Sequence, residues 1–282
     1  MNTFLMKPKI DFAFKEIMND ERARTGFLSA VLHLEPESIK STRILNPYLR
    51  QTHEDDKLGI LDVRVLMNDD TEIDTEIQLS ELKVWADRSL FYASKMYADQ
   101  IKPGQKYTVF KKCVSISILD FILFEGQNDF YSCFHIMEDT HHFKYTDKME
   151  FHVIELPKLP PELRENSSRV ELWAKFINAE EMEEFDMIAQ KDPYIKSAYD
   201  QLQIISQDEQ KRMEYEAREK AILDYNQGMY EAEQRGEQRG EQRGEQRGVR
   251  NTARNLLALG VDINTIAAAT NLSIDEINAL NK

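Results

Sequence analysis

Between Leu58 and Leu79 the chain reads LGILDVRVLMNDDTEIDTEIQL, and apolar and polar residues alternate through it twice. Leu61, Val63, Val65 and Met67 hold the odd positions, with Asp62 and Arg64 between them. After Asn68, Asp69 and Asp70 the odd positions return as Thr71, Ile73, Thr75, Ile77 and Leu79. A period of two predicts two half-buried strands, and Asn-Asp-Asp between them predicts a hairpin. Opposed residues of an antiparallel pair share a face, so the apolar faces match only across a loop of odd length. Residues 68 to 70 supply one. That register sets Val65 against Ile73, Val63 against Thr75, Arg64 against Asp74 and Asp62 against Glu76.

Elsewhere the apolar spacing is mostly helical. Lys7 to Asn19 predicts a helix with Phe14, Ile17 and Met18 on one stripe, and Arg24 to His33 predicts a second, ended by Pro36. Ser41 to Pro47 predicts a short first strand. Trp85 to Ile101 predicts a long helix stopped by Lys102-Pro103-Gly104, with Leu90, Ala93 and Tyr97 as packing residues. Cys113 to Phe124 predicts a buried strand and Phe143 to Leu156 a further one. Pro157, Pro160 and Pro161 mark the end of this core, at about residue 160.

A helical extension follows over 161–232, with Asp192-Pro193 as N-cap and first turn of a helix reaching Tyr230. Residues 233–248 repeat EQRG four times. Each glycine costs a helix about 1 kcal/mol relative to alanine, and Glu and Arg within the repeat never fall three or four apart, so the tract predicts a tether or a conditional helix. Residues 249–282 read as a small helical unit: Gly260 ends one helix, Asp262 caps a second, and Ser273 with Glu276 forms a capping box for a third. A DNA-reading helix-turn-helix is disfavoured there, because the last helix begins with Asp275 and Glu276 and carries no arginine. Protein–protein assembly fits the tail better.

Charge narrows the function. With 36 basic against 50 acidic residues the net charge is −14, which counts against non-specific coating of nucleic acid but leaves room for a local basic groove. Two cysteines, Cys113 and Cys133, and no signal peptide suggest a reduced, cytoplasmic setting. The apolar run 114–124 is too short for a membrane span and contains Asp120. None of the six histidines forms a persuasive metal constellation, and no Gly-rich phosphate loop or nucleophile elbow occurs.

What remains is the hairpin. Two carboxylates directly across a ladder place their Cβ atoms about 5 Å apart and repel. A divalent cation between Asp62 and Glu76 removes the conflict, with the Ile77 carbonyl and water as further oxygen ligands and Gln78 beside them. On spacing alone, an acidic solvated sheet face remains an equal reading.

An Asp on one strand followed by Glu-x-Gln on the next resembles the PD-(D/E)XK nuclease superfamily, with Gln78 where Lys is usual. More closely, segments 7–18 (KPKIDFAFKEIM), 61–65, 73–79, 87–107 and 114–124 resemble the Rpn-type recombination-promoting nucleases, also described as PD-(D/E)XK nuclease family putative transposases. The resemblance implies an α/β fold with a mixed central sheet flanked by helices. It implies a DNA endonuclease using Mg2+ or Mn2+ held by Asp62, Glu76 and the Ile77 carbonyl, acting in recombination, element mobility or phage defence. Asp11, otherwise a helix-start acid, becomes the matching third carboxylate, and Gln78 an orienter of water or substrate. Arg88, Tyr92 and Lys95, on one face of the long helix, become candidate phosphate contacts. The competing expectation is a catalytically silent nuclease fold that binds DNA or protein and forms a homo-oligomer through its repeat and tail.

Overall fold

The structure is a computed structural model and describes residues 4–49 and 60–280. Leu58 and Gly59, at the start of the hairpin stretch, and the last two residues of the tail lie outside the described residues. The first unit, residues 1–219, is built on a six-stranded sheet: β1 (Thr42–Ile44), β2 (Val63–Met67), β3 (Glu72–Gln78), β4 (Cys113–Leu119), β5 (Tyr131–His135) and β6 (Met149–Glu155). Their order in space is β1-β2-β3-β4-β6-β5. The β3/β4 and β4/β6 pairs are parallel and the others antiparallel, so the sheet is mixed.

The hairpin register is the one the alternation predicts. Val63 faces Thr75, Arg64 faces Asp74 and Val65 faces Ile73. Met67 N–H donates to the Thr71 carbonyl at 2.9 Å, which leaves residues 68–70 as the loop, and Asp70 turns the chain with φ 62°. Asp tolerates this left-handed conformation better than most residues.

One expectation fails here. The alternation implied that the even face of β3 meets solvent, yet Glu72, Asp74 and Glu76 are all buried. The parallel partner β4 makes β3 a central strand, and parallel strands are covered on both faces. The helix α3 (Trp85–Asp99) provides the cover: its Tyr92 and Met96 pack with Leu49, Leu61 and Cys113. Leu90, expected to pack, is 51% exposed, and Met96 takes the buried role instead. The strand β5 was not anticipated at all.

Helices α1 (Asp11–Met18) and α2 (Glu21–Val31) pack with α4 (Arg169–Asn178), α5 (Met182–Ala189) and α6 (Pro193–Gln207). An unbroken run of rings joins them: Phe14 to Phe27, Phe27 to Trp173, Trp173 to Phe176, Phe176 to Phe185 and Phe185 to Tyr199, each pair 5.4–5.8 Å apart at the centroids. Such pairs add about 0.5–1.5 kcal/mol each beyond their buried area. Gly26 lets α6 approach α2, since a Cβ there would stand 2.2 Å from Tyr194 Cβ. These contacts hold α1, which carries Asp11 and Lys15, as a rigid wall of the sheet.

The helix begun by Asp192-Pro193 does not run on to Tyr230. It stops at Gln207, Asp208 turns extended, and its carboxylate caps a new helix, α7 (Glu209–Ala258), by accepting the Lys211 N–H at 2.9 Å. The EQRG tract lies inside α7 and is helical. The second unit, residues 220–282, contains the rest of α7 with α8 (Ile263–Thr270) and α9 (Ile274–Ala279), which bury Ala253, Ile266 and Ile277 together. Asp262 and Ser273 cap α8 and α9 as their spacing predicts. No helix among the described residues is long and apolar enough to cross a membrane.

Candidate metal centre

The ladder between β2 and β3 stops one residue short of Asp62, and the way it stops builds the site. Continued, the ladder would pair Leu61 with Ile77. Instead the Leu61 N–H donates to the Pro47 carbonyl at 3.0 Å. The Ile77 N–H donates to Asp62 Oδ2 at 3.1 Å, and the Asp62 N–H donates to Glu76 Oε1 at 2.9 Å. Each acid therefore fixes the backbone that carries the other. The Ile77 carbonyl, the expected third oxygen, sits at this open ladder end, its cross-strand N–H spent on Pro47.

Below them Asp74, two residues back on β3 and on the same face as Glu76, is 0% exposed, and neither of its oxygens has a hydrogen-bond partner among the described residues. Burial pushes its carboxyl well above the usual range, and the charges of Glu76 and Asp62 push further. The same causes, burial first and Asp62 second, push Glu76 up to about 8. Asp74 was missed because an even position in an alternating strand reads as solvated. Its place two residues before Glu76 was the available signal.

Basic groups approach from two helices. Lys15 Nζ lies 3.0 Å from Asp62 Oδ1 and 3.7 Å from Asp11 Oδ2. Burial disfavours the Lys15 charge, but the field and hydrogen bond of Asp62 outweigh it and raise its proton affinity. Arg218, at the start of α7, holds Asp11 with Nε at 2.8 and 3.0 Å from its two oxygens. Asp11 thus joins the constellation through Lys15 and is not seated beside Glu76. On the other side, Arg88 Nη2 lies 3.6 Å from Glu76 Oε2, its guanidinium stacked 5.4 Å from Trp85 and 5.3 Å from Tyr92.

Tyr92 is in the core and supports Arg88; it does not stand open to a phosphate. Lys95 is half-exposed one turn along α3. Gln78 donates its amide to the Ser80 carbonyl at 3.0 Å. Lys15, which the sequence pairs only with Asp11, is the basic group nearest Asp62.

Asp62, Asp74 and Glu76 form a set of hard oxygen donors with too little positive charge to balance them, and the two orphaned oxygens of Asp74 are buried acceptors with nothing to accept from. A magnesium- or manganese-type cation fits that donor set. The three acids do not bring one oxygen each within 4.8 Å of the others, as Cys133, Glu150 and His152 do elsewhere in the sheet.

No curated protein and no solved structure matches the chain significantly. A family profile described as PD-(D/E)XK nuclease family transposase matches residues 8–232, which takes in the sheet, α1 to α6 and much of α7. Nucleases of this class generally use divalent metals, and the family implies a nuclease-like activity on DNA. With most of its length matched, and with this sheet and these acids, the chain belongs to the PD-(D/E)XK nuclease family transposases.

Proposed function

We propose that the protein is a divalent-cation-dependent DNA endonuclease that hydrolyses phosphodiester bonds at the open end of the β2/β3 ladder. The observation that carries this reading is the buried, unpartnered carboxylate of Asp74 beside Glu76 and Asp62. A buried acid without partners is costly whether it is ionised or held neutral by its surroundings, and a counterion at the site relieves that cost. Asp62, Glu76 and the Ile77 carbonyl would hold Mg2+ or Mn2+, with Asp74 as a further acid of the set. When bound, the ion supplies Lewis acidity toward the phosphate and lowers the pKa of its water.

The chain's own residues do the rest. Asp62 and Glu76 orient each other through their backbone contacts, which keeps the donor oxygens in place. Gln78 has no positive charge to offer the developing phosphate charge, but Lys15 stands at Asp62 and Arg88 at Glu76. Those two cations take the role that lysine plays in the usual motif. Asp11 and Arg218 hold Lys15 at its post. Lys95, farther along α3, would meet the DNA backbone.

The test is cleavage of supercoiled plasmid with Mg2+, Mn2+ or EDTA, in wild type and in Asp62→Ala. Metal-dependent nicking that disappears in the variant, with the fold intact by circular dichroism, is the expected result. The second reading, a silent nuclease fold that binds DNA or protein, draws on Gln78, whose amide is spent on Ser80. Absence of cleavage with every metal would establish it and sink the first. Under either reading the chain is proposed to self-associate through α7 and the tail helices.

A further inference from the structure

A second constellation sits on the sheet at β6 and β5, two and three strands from β3 in the sheet order. Cys133, Glu150 and His152 each bring one ligand atom to within 4.8 Å of the other two. Strand register is the reason. Cys133 lies opposite His152 and His135 lies opposite Glu150, and residues two apart on a strand share a face. His135 completes the square, its Nε2 3.1 Å from Glu150 Oε2 and its Nδ1 3.9 Å from Cys133 Sγ.

His152 is 1% exposed and has a polar partner at each ring nitrogen: Nδ1 lies 2.7 Å from the Tyr131 hydroxyl and Nε2 lies 2.7 Å from Glu150 Oε1. The same hydroxyl also lies 3.0 Å from the Val31 carbonyl and 3.1 Å from His33 Nε2. Without an ion, a proton on Nε2 joins His152 to Glu150, which also gathers Lys112 and His135. A metal ion would take the place of that proton.

We propose that this face is a transition-metal site of the zinc type, with Cys133 Sγ, Glu150 and His152 Nε2 as ligands and His135 as the fourth. The donor set favours the metal: a thiolate and imidazoles select zinc or a similar borderline ion over magnesium. With Nε2 on the ion, the Nδ1–H of His152 would donate to the Tyr131 hydroxyl, which fixes the tautomer from the far nitrogen. Lys112, 2.5 Å from Glu150 and about one-third exposed, is free to swing into solvent when the ion enters. The ion would tie the edge strand β5 to β6. This site shares no residue with the acids at β3 and does not depend on the reading of them.

The full-length protein, stripped with chelator, is titrated with Zn2+ alone and with Co2+ alone. The expected result is one equivalent with a thiolate-to-cobalt charge-transfer band that persists in an Asp62→Asn/Glu76→Gln double variant, while any further equivalent held by the acids at β3 gives no such band and is lost there. Cys133 is exposed, so Cys133→Ser folds; it should bind more weakly by over about 100-fold and lose the band. Tyr131→Phe, which removes only the orienting hydroxyl, should weaken binding about 10–100-fold. A cobalt spectrum without the thiolate band, undiminished zinc binding by Cys133→Ser, or loss of the band in the double acid variant would each overturn the proposal.

Discussion

The Asp62 N–H donates to the Glu76 carboxylate at 2.9 Å, while the Asp62 carboxylate accepts the next residue's N–H, that of Ile77, at 3.1 Å. Charge and scaffold are therefore combined in one side chain, and two substitutions separate them. Asp62→Asn keeps an oxygen for Ile77 and loses the charge; cleavage should fall about 100-fold or more, with the melting temperature little changed. Asp62→Ala also leaves a half-buried N–H unpaired, at about 1–3 kcal/mol. Its melting temperature should drop as well. Differential scanning fluorimetry beside the plasmid assay distinguishes the two, and full activity in Asp62→Asn would remove Asp62 from the chemistry.

Asp74 predicts a trade between stability and function. Its folded-state proton affinity is raised, so the penalty is absent below the unfolded carboxyl's pKa of about 4 and grows as pH rises toward the folded value. Asp74→Asn removes that penalty. In EDTA the variant should melt higher than wild type, by more at pH 8 than at pH 5. Adding Mg2+ should stabilise wild type and leave the variant closer to unmoved. A variant that melts lower than wild type in EDTA would mean that the carboxyl has a partner the structure does not give it.

Lys15 and Gln78 make a double-mutant cycle. If the Lys15 ammonium at Asp62 supplies the charge the motif lysine usually carries, Lys15→Gln should lose about 10–100-fold in turnover, roughly 1.4–2.8 kcal/mol of transition-state stabilisation. Gln78→Lys alone should gain little, yet it should restore much of the activity lost in Lys15→Gln. Strictly additive effects would show that the two positions do not share a role.

What the sequence disclosed is local. The hairpin register follows from parity, and the caps at Asp192, Asp262 and Ser273 follow from a side chain meeting its own helix. What it withheld is brought from a distance. Asp74 reads as a surface acid until α3 lies over it, and Lys15 reads as half of an i,i+4 pair until α1 docks at the end of β2. His152 falls inside a strand the pattern predicts, but its partner Cys133 lies on β5, where Tyr131-Ser-Cys-Phe-His135 shows no clear alternation. Without that strand His152 has only Glu150 beside it, on its own strand. The helix break at Asp208 was legible in principle, since an Asp three residues before Lys211 is an N-cap.

The glycines of the EQRG tract give the last prediction. Gly236, Gly240, Gly244 and Gly248 recur every four residues along α7, so they form one slowly drifting column, and a Cβ at any of them meets nothing within 4 Å in this chain. No described residue of the chain packs against them closely enough to require glycine. Replacing all four with alanine removes about 4 kcal/mol of unfavourable helix propensity, and far-ultraviolet circular dichroism should show more helix and a later melt. If the column exists so that a second copy's helix can approach closely, the methyl groups should hold the axes apart. Self-association, followed by sedimentation, should then weaken even as the helix strengthens. A variant that gains helix and assembles as well as wild type would place the contact elsewhere on the tail.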